Sequence, residues 1–125
     1  MILVFGAFLG FFSVSFGAFS EHALRPNITE EHFRFLMTAI RYNQVNAVII
    51  SALGLSILSS EKIAKAVLII RSAYLFIIGT FLFSFSIYAS VGFDIPQLTY
   101  ATPVGGTLLM VAWILLLVAG IKLKK

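Results

Sequence analysis

Residues 1–20 read MILVFGAFLGFFSVSFGAFS and contain no charged side chain. A helix needs about 20 predominantly apolar residues to cross the hydrocarbon core of a bilayer, and this stretch has that length. A secretory signal peptide instead has a basic start and an apolar run of roughly 7–15 residues. The stretch has neither feature, so we expect it to be a retained membrane span rather than a cleaved leader.

Three further stretches of the chain have the same apolar character: residues 42–60, 72–91 and 100–121. Of the 125 residues, 60% are hydrophobic and 11% are charged. These proportions exclude a soluble globular domain, because a chain of this size cannot cover so much apolar surface with polar groups. They also exclude disorder, which needs low hydrophobicity and high charge. The segments are apolar on all sides, whereas the strands of a membrane barrel alternate. We therefore predict an all-α membrane protein, a four-transmembrane-helix bundle forming a single domain over residues 1–125.

Residues 30–41, between the first two predicted spans, have the pattern of an amphipathic helix. Thr29 is a suitable N-cap, and two glutamates follow it in the first turn. Apolar residues then recur at i, i+3, i+4 and i+7, which places on one face Phe33, Leu36, Met37 and Ile40. The pattern predicts a short interfacial amphipathic helix, either separate at the membrane surface or continuous with the second span.

Basic residues are distributed unequally between the two sides of the predicted bundle. Four spans put both termini on one side, together with six basic residues: Lys62, Lys65, Arg71, Lys122, Lys124 and Lys125. The other side has three: Arg25, Arg34 and Arg41. The positive-inside rule therefore favours cytoplasmic termini. We expect no nucleic-acid binding, because no compact basic patch with interleaved aromatic residues lies outside the lipid zone.

Small residues mark the faces on which the helices are expected to meet. Lipid tails are as apolar as leucine, so helices associate in a membrane through close packing and buried polar contacts. The predicted packing residues are Gly6, Gly10, Ser13 and Gly17 in the first span, Gly54 in the second, Gly79 in the third, and Gly105 and Gly106 in the fourth. A second stripe of the first span faces lipid or fills grooves of the bundle, and it consists of Phe5, Phe8, Phe12, Phe16 and Phe19.

Polar residues at membrane depth are concentrated on the side opposite the termini. Such residues are costly in lipid and usually have a partner or a purpose. The candidate polar cluster comprises Glu21, His22, Arg25, Asn43, Asn46, Ser84, Ser86, Tyr88 and Thr102. One interpretation is a binding or proton-handling site built on His22, oriented by Glu21 or by a bond from Asn46. The other is that these groups join helix ends.

Metal and cofactor sites are not expected. The chain has no cysteine, which excludes disulfides and thiolate ligands. The only two histidines, His22 and His32, lack the spacing of metal ligands. We therefore predict no metal and no cofactor.

Three segments of the chain resemble one known family. Residues 17–24 (GAFSEHAL), 82–88 (LFSFSIY) and 102–106 (TPVGG) are similar to the motifs G-A-F-G-A-H-A-L, L-F-S-G-S-L-Y and T-P-I-G-G of the YgdD/YwdK-like family. These are small bacterial inner-membrane proteins, grouped as domain of unknown function 423 and similar to the animal transmembrane protein 256 family. The resemblance implies the fold and a bacterial inner-membrane location, and it implies no established activity. Asn46 stands where the family has a second histidine, which argues against a two-histidine metal or haem site.

Three functions remain open at this stage. The first is a non-enzymatic accessory, assembly or structural membrane protein, whose partners are membrane lipids and either another membrane protein or a second copy of the chain. The second is a small oligomeric transporter or channel lined by Asn43, Asn46, Ser84 and Ser86. The third is a lipid-handling membrane protein or enzyme that uses His22 and Glu21. The sequence does not define a substrate, a partner or an oligomeric state.

Overall fold

The computed structural model describes all 125 residues, which are almost entirely helical. Four helical stretches are long and apolar enough to cross a membrane: span 1 (Ile2–Asn27), span 2 (Glu30–Ser59), span 3 (Val67–Gly92) and span 4 (Pro96–Lys124). The predicted all-α architecture with four spans is confirmed. Each of the four spans is longer than predicted, because the helices continue into their polar flanks.

Six α-helices form the spans and their connections: α1 (Ile2–Phe19), α2 (Glu30–Ser59), α3 (Glu61–Ala64), α4 (Val67–Thr80), α5 (Ser86–Gly92) and α6 (Thr102–Lys124). Single π-helical turns continue α1 and join α4 to α5, at Ser20–Leu24 and Phe81–Phe85. Two 3₁₀ turns lie at the end of the bundle opposite the termini, at Arg25–Asn27 and Pro96–Ala101. We call this the distal end, and the end that holds both termini and α3 the terminal end.

The segment predicted as an interfacial helix is the beginning of α2. Thr29 caps it as expected, since its Oγ1 accepts a hydrogen bond from the His32 backbone N–H at 3.1 Å. No break separates this part from the rest of the helix, so a separate surface helix does not form. The reason is packing, because Leu36 and Ile40 are buried against Ile87 and Tyr88 of α5. The apolar stripe thus faces the bundle rather than the membrane surface.

The spans associate as two antiparallel pairs. Helix α1 packs along α2, and α6 packs along α4. The pairs are joined where α2 packs on span 3. The main core includes Leu9 of α1, Ile50 of α2, Phe76 of α4 and Leu109 of α6. Helices α2 and α6 share no packed interface, which leaves an opening between spans 2 and 4.

Glycines occupy the closest helix crossings. A Cβ atom added to Gly54 would lie 2.7 Å from the Leu3 backbone nitrogen, and one added to Gly105 would lie 2.8 Å from the Gly79 carbonyl oxygen. Gly6 lies equally close to the Ser51 backbone. Three other predicted packing glycines are less constrained, because a Cβ would meet side chains at ordinary distances of 3.7–3.8 Å at Gly10, Gly17 and Gly106.

The phenylalanine stripe of α1 packs mainly inside the bundle. Phe12 stacks on Phe85 with ring centroids 4.7 Å apart, and Phe16 lies 4.4 Å from the Tyr88 ring. Two members of the stripe, Phe8 and Phe19, are 46% and 51% exposed. Of the two positions left open by the sequence, the stripe therefore fills the contact between span 1 and span 3.

Candidate functional site

A buried polar contact links α2 to span 3. The Asn43 side-chain amide Nδ2 donates a hydrogen bond to the Tyr88 hydroxyl at 3.0 Å. Four residues before Tyr88, the Ser84 hydroxyl donates to the Ala39 carbonyl at 2.7 Å. Asn43 and Ser84 are fully buried. In a bundle without hydrophobic driving force between helices, such contacts hold neighbouring helices in register.

A second polar contact ties span 3 to the start of α6. The Ser86 and Thr102 hydroxyl oxygens lie 2.6 Å apart. Ser86 donates its proton to the Phe83 carbonyl at 2.9 Å, so Thr102 is the donor of the pair. Both contacts join helices, and their geometry agrees with the interpretation of the polar cluster as a set of groups that connect helix ends.

The charged members of the predicted cluster lie outside the bundle. Arg25 forms an ion pair with Glu21 at 2.6 Å, one helical turn away, and both side chains are nearly half exposed. The Arg25 guanidinium also lies 4.6 Å above the Phe33 ring. His22 is exposed and makes no side-chain hydrogen bond. Exposed ion pairs of this kind contribute about 0–1 kcal/mol to stability, so this group is a surface feature.

The predicted bond between His22 and Asn46 does not form. Gly10 of α1 lies against Ala47 of α2, so Asn46 is at the level of about residue 11 in the antiparallel pair. His22 is therefore about eleven residues nearer the distal end, a separation of about 16 Å at a rise of 1.5 Å per residue. The sequence placed both residues on the same side of the membrane but could not resolve this difference in depth.

The four residues expected to line a pore do not share a surface. Asn43 and Ser84 are bonded inside the bundle, and Ser86 is paired with Thr102. Asn46 differs from the other three, because its Nδ2 is buried without a hydrogen-bond partner. The Asn43 side-chain oxygen Oδ1 and the Ser20 hydroxyl are the other buried side-chain atoms without a partner.

Asn46 lies in the wall of a groove of about 880 Å³ between α2 and α6. At the distal end its mouth is lined by His32, Phe35, Asp94 and Thr99. Further along, the lining is mainly apolar and aromatic, with Phe83, Leu109, Met110 and Trp113 beside the polar side chains of Asn46 and Thr107. A volume of this size lies within the roughly 300–1,000 Å³ typical of ligand sites. The groove is therefore a second candidate site.

The groove residues were not identified as a site from the sequence. In the sequence, His32 stands out only as one of two histidines without metal-ligand spacing, while Asp94 and Trp113 belong to no motif. No local pattern predicts the groove, because it results from the missing contact between α2 and α6. Of the predicted cluster, only Asn46 and Thr102 line it.

The fold and these sites define a multi-pass membrane protein, an antiparallel bundle of four spans held by glycine crossings and by buried amide and hydroxyl contacts. No three His, Cys, Asp or Glu side chains are grouped so that they could hold a metal ion. Residues 16–106 match the family model described as "Protein of unknown function (DUF423)", and the chain belongs to this family. The family predicted from the three motifs is thus confirmed.

Curated relatives agree with this assignment. A UPF0382 membrane protein of Haemophilus influenzae is 32% identical over 118 residues, covering 94% of this chain and 91% of the relative. The UPF0382 inner membrane protein YgdD of Escherichia coli is 31% identical over 99% of this chain and 92% of its own length. The UPF0382 membrane protein YwdK of Bacillus subtilis is 27% identical over 98% and 97%. No solved structure matches the chain significantly.

Proposed function

We propose that this chain is a non-enzymatic accessory or structural protein of a bacterial inner membrane, which acts by contacting other membrane molecules. The observation that carries the proposal is the position of its ionisable groups. The nine Lys and Arg, five Asp and Glu, and two His side chains are all exposed. The buried polar side chains are amides and hydroxyls, most of which bond to one another or to backbone carbonyls.

This distribution supports a role in contact rather than in chemistry. Catalytic acids and bases are typically found in clefts where burial and nearby charges change their proton affinity. They must also come within about 2.6–3.2 Å of the reacting group. Tyr88 is the buried phenol of this bundle, and its hydroxyl is already engaged by Asn43.

The orientation that we propose places both termini in the cytoplasm. Six basic residues at the terminal end against three at the distal end support it through the positive-inside rule. Because the chain has no cysteine, single cysteines report accessibility without background. In spheroplasts, Asn27→Cys is expected to react with a membrane-impermeant maleimide, and Lys124→Cys only after lysis. The reverse pattern would contradict the orientation.

The accessory role is tested by purification from native membranes. The tagged full-length chain, extracted in mild detergent, is expected to co-purify with a membrane protein at a constant ratio. A tagged, unrelated membrane protein of similar size and expression level serves as the control. Recovery of the chain alone, with nothing enriched over that control, would contradict an accessory role.

A second arm separates the accessory role from chemistry at the distal surface. His22→Ala and Glu21→Gln change exposed side chains and are expected to leave the co-purified complex unchanged. Each variant gene is also introduced into a deletion strain. If either variant failed to restore the wild-type phenotype while the complex remained intact, the lipid-handling or enzymatic alternative would replace the proposal.

A further inference from the structure

The groove between α2 and α6 has the depth of one membrane leaflet. Its α6 wall runs from Thr102, which is tied to Ser86 at the distal end, to Trp113. These eleven residue steps correspond to about 16 Å of helix. Half of the hydrocarbon core of a bilayer is about 15 Å thick. The groove therefore extends from the distal membrane boundary to about the bilayer centre.

The polarity of the lining falls from the mouth to the deeper part, as polarity falls from the headgroups to the acyl chains of a lipid leaflet. The mouth carries imidazole, carboxylate and hydroxyl groups from His32, Asp94 and Thr99. The deeper part is lined by Met110 and Trp113, which are 62% and 49% exposed. The polar mouth thus lies where lipid headgroups lie, and the apolar part where acyl chains lie.

The mouth carries one negative charge, and a positive charge lies beside it. Asp94 supplies a carboxylate, and it is exposed. On the α2 side, the Arg34 guanidinium lies 6.0 Å from the centroid of the Phe35 ring, which lines the mouth beside His32. An ammonium group is complementary to the Asp94 carboxylate, and a phosphate is complementary to the Arg34 guanidinium.

The dimensions argue against a helix of another protein as the occupant. A helix with its side chains is about 10 Å wide, so a 16 Å length occupies roughly 1,250 Å³. The groove has a volume of about 880 Å³ and is open along one side. A single flexible chain therefore fits within it, whereas a helix would protrude from it.

We propose that the groove between α2 and α6 binds one zwitterionic phospholipid of the distal leaflet. One acyl chain lies along α6 from Thr102 to Trp113. The phosphoethanolamine headgroup lies at the mouth, with its ammonium at Asp94 and its phosphate at the His32 and Arg34 side. The site goes beyond the accessory role and does not depend on it.

Native mass spectrometry of the full chain in mild detergent tests the site. The wild type is expected to retain one phosphatidylethanolamine from the membrane. Gly106→Leu places a branched side chain in the groove beside Phe83, where the glycine leaves space. Lipid binding should weaken about fifteenfold, since the side chain displaces about two methylene groups that each contribute roughly fourfold.

Gly120→Leu is the matched control on the same helix. Nothing lies within 4 Å of a Cβ at Gly120, and this residue is outside the groove. Its lipid retention should equal that of the wild type. If Gly106→Leu does not fold, as judged by its melting curve, Met110→Trp fills the groove from an exposed position instead. Undiminished retention of one lipid in a folded, filled variant would overturn the proposal.

The headgroup assignment has its own arm. After delipidation, phosphatidylethanolamine should bind about threefold tighter than phosphatidylcholine with the same chains, a small factor because exposed charges are screened. Asp94→Asn should remove this preference, and asparagine tolerates the positive φ of 54° at this position. A preference that persists in Asp94→Asn would refute the headgroup contact. A dimer that disappears in Gly106→Leu would show that a second copy occupies the groove and would overturn the lipid proposal.

Discussion

Replacing Gly105 by alanine tests the close packing on which this bundle depends. An added Cβ would lie 2.8 Å from both the Gly79 carbonyl oxygen and the Leu82 carbonyl carbon. Ordinary contacts between such atoms are about 3.5–4.0 Å, so α6 must move away from span 3 by about 0.7 Å or more. These neighbours are backbone atoms, which cannot rotate out of the way as a side chain could.

The magnitude follows from comparison with Gly120→Ala, which adds the same methyl group to the same helix in open space. Both substitutions gain up to about 1 kcal/mol from the better helix propensity of alanine. The difference between them isolates the steric cost, which for overpacked cores is about 1–3 kcal/mol. The free energy of unfolding of Gly105→Ala should therefore be lower than that of Gly120→Ala by this amount.

The assay is reversible unfolding in mixed micelles, followed by far-ultraviolet circular dichroism, with both variants and the wild type in the same detergent. Movement of α6 should also weaken the hydrogen bond from the Ser72 hydroxyl to the Ala112 carbonyl, now 2.8 Å long. Equal stability of the two variants, or a more stable Gly105→Ala, would refute the close approach of α6 to span 3.

Three further predictions concern polar groups. In a double-mutant cycle, Asn43→Ala and Tyr88→Phe should show a coupling free energy of about 0.6–1.7 kcal/mol, the range measured for hydrogen bonds between membrane helices. If the changes in unfolding free energy were additive, the 3.0 Å bond would contribute nothing to stability. Asn46→Leu should raise the free energy of unfolding by about 1 kcal/mol, because it removes a buried amide donor that has no partner; a lower melting temperature would contradict this. Arg25→Ala should change stability by less than about 1 kcal/mol, since its ion pair with Glu21 is exposed, and a larger loss in the same unfolding assay would show that the pair supports the bundle.

Properties set by the bilayer were readable from the sequence. The four spans could be predicted because the thickness of the hydrocarbon core fixes both the length and the apolarity of a crossing helix. The positions of glycine also indicated the contact faces. The pattern could not distinguish Gly6, where a Cβ would meet the backbone of Ser51, from Gly10, where it would meet only the Ala47 side chain at 3.8 Å. That difference depends on where two helices cross, and no local pattern encodes the crossing point.

Properties that depend on distant residues were not readable. The stripe of residues 30–41 fits a membrane surface and a bundle equally well, and the choice was made by Ile87 and Tyr88. The grouping of His22 with Asn46 failed for a related reason. The sequence assigned both residues to the same side of the membrane, but depth along a helix and the direction of a side chain are separate quantities. Sequence position gives the relative depth of two residues only when the pairing of their helices is known.

The groove and the tight crossing at Gly105 have one structural cause. Phe83 of span 3 lies between the two helices that border the groove, with its ring 5.0 Å from the Tyr42 ring of α2. Its backbone touches α6 at Gly105, where a side chain would not fit. Gly105 thus allows α6 to pack closely on span 3 and away from α2. The space left between α6 and α2 is the groove. A substitution that moves α6 away from span 3 must therefore change the groove as well. Bundle stability and lipid retention should change together in Gly105 variants, whereas lipid retention should stay at the wild-type level in Gly120 variants.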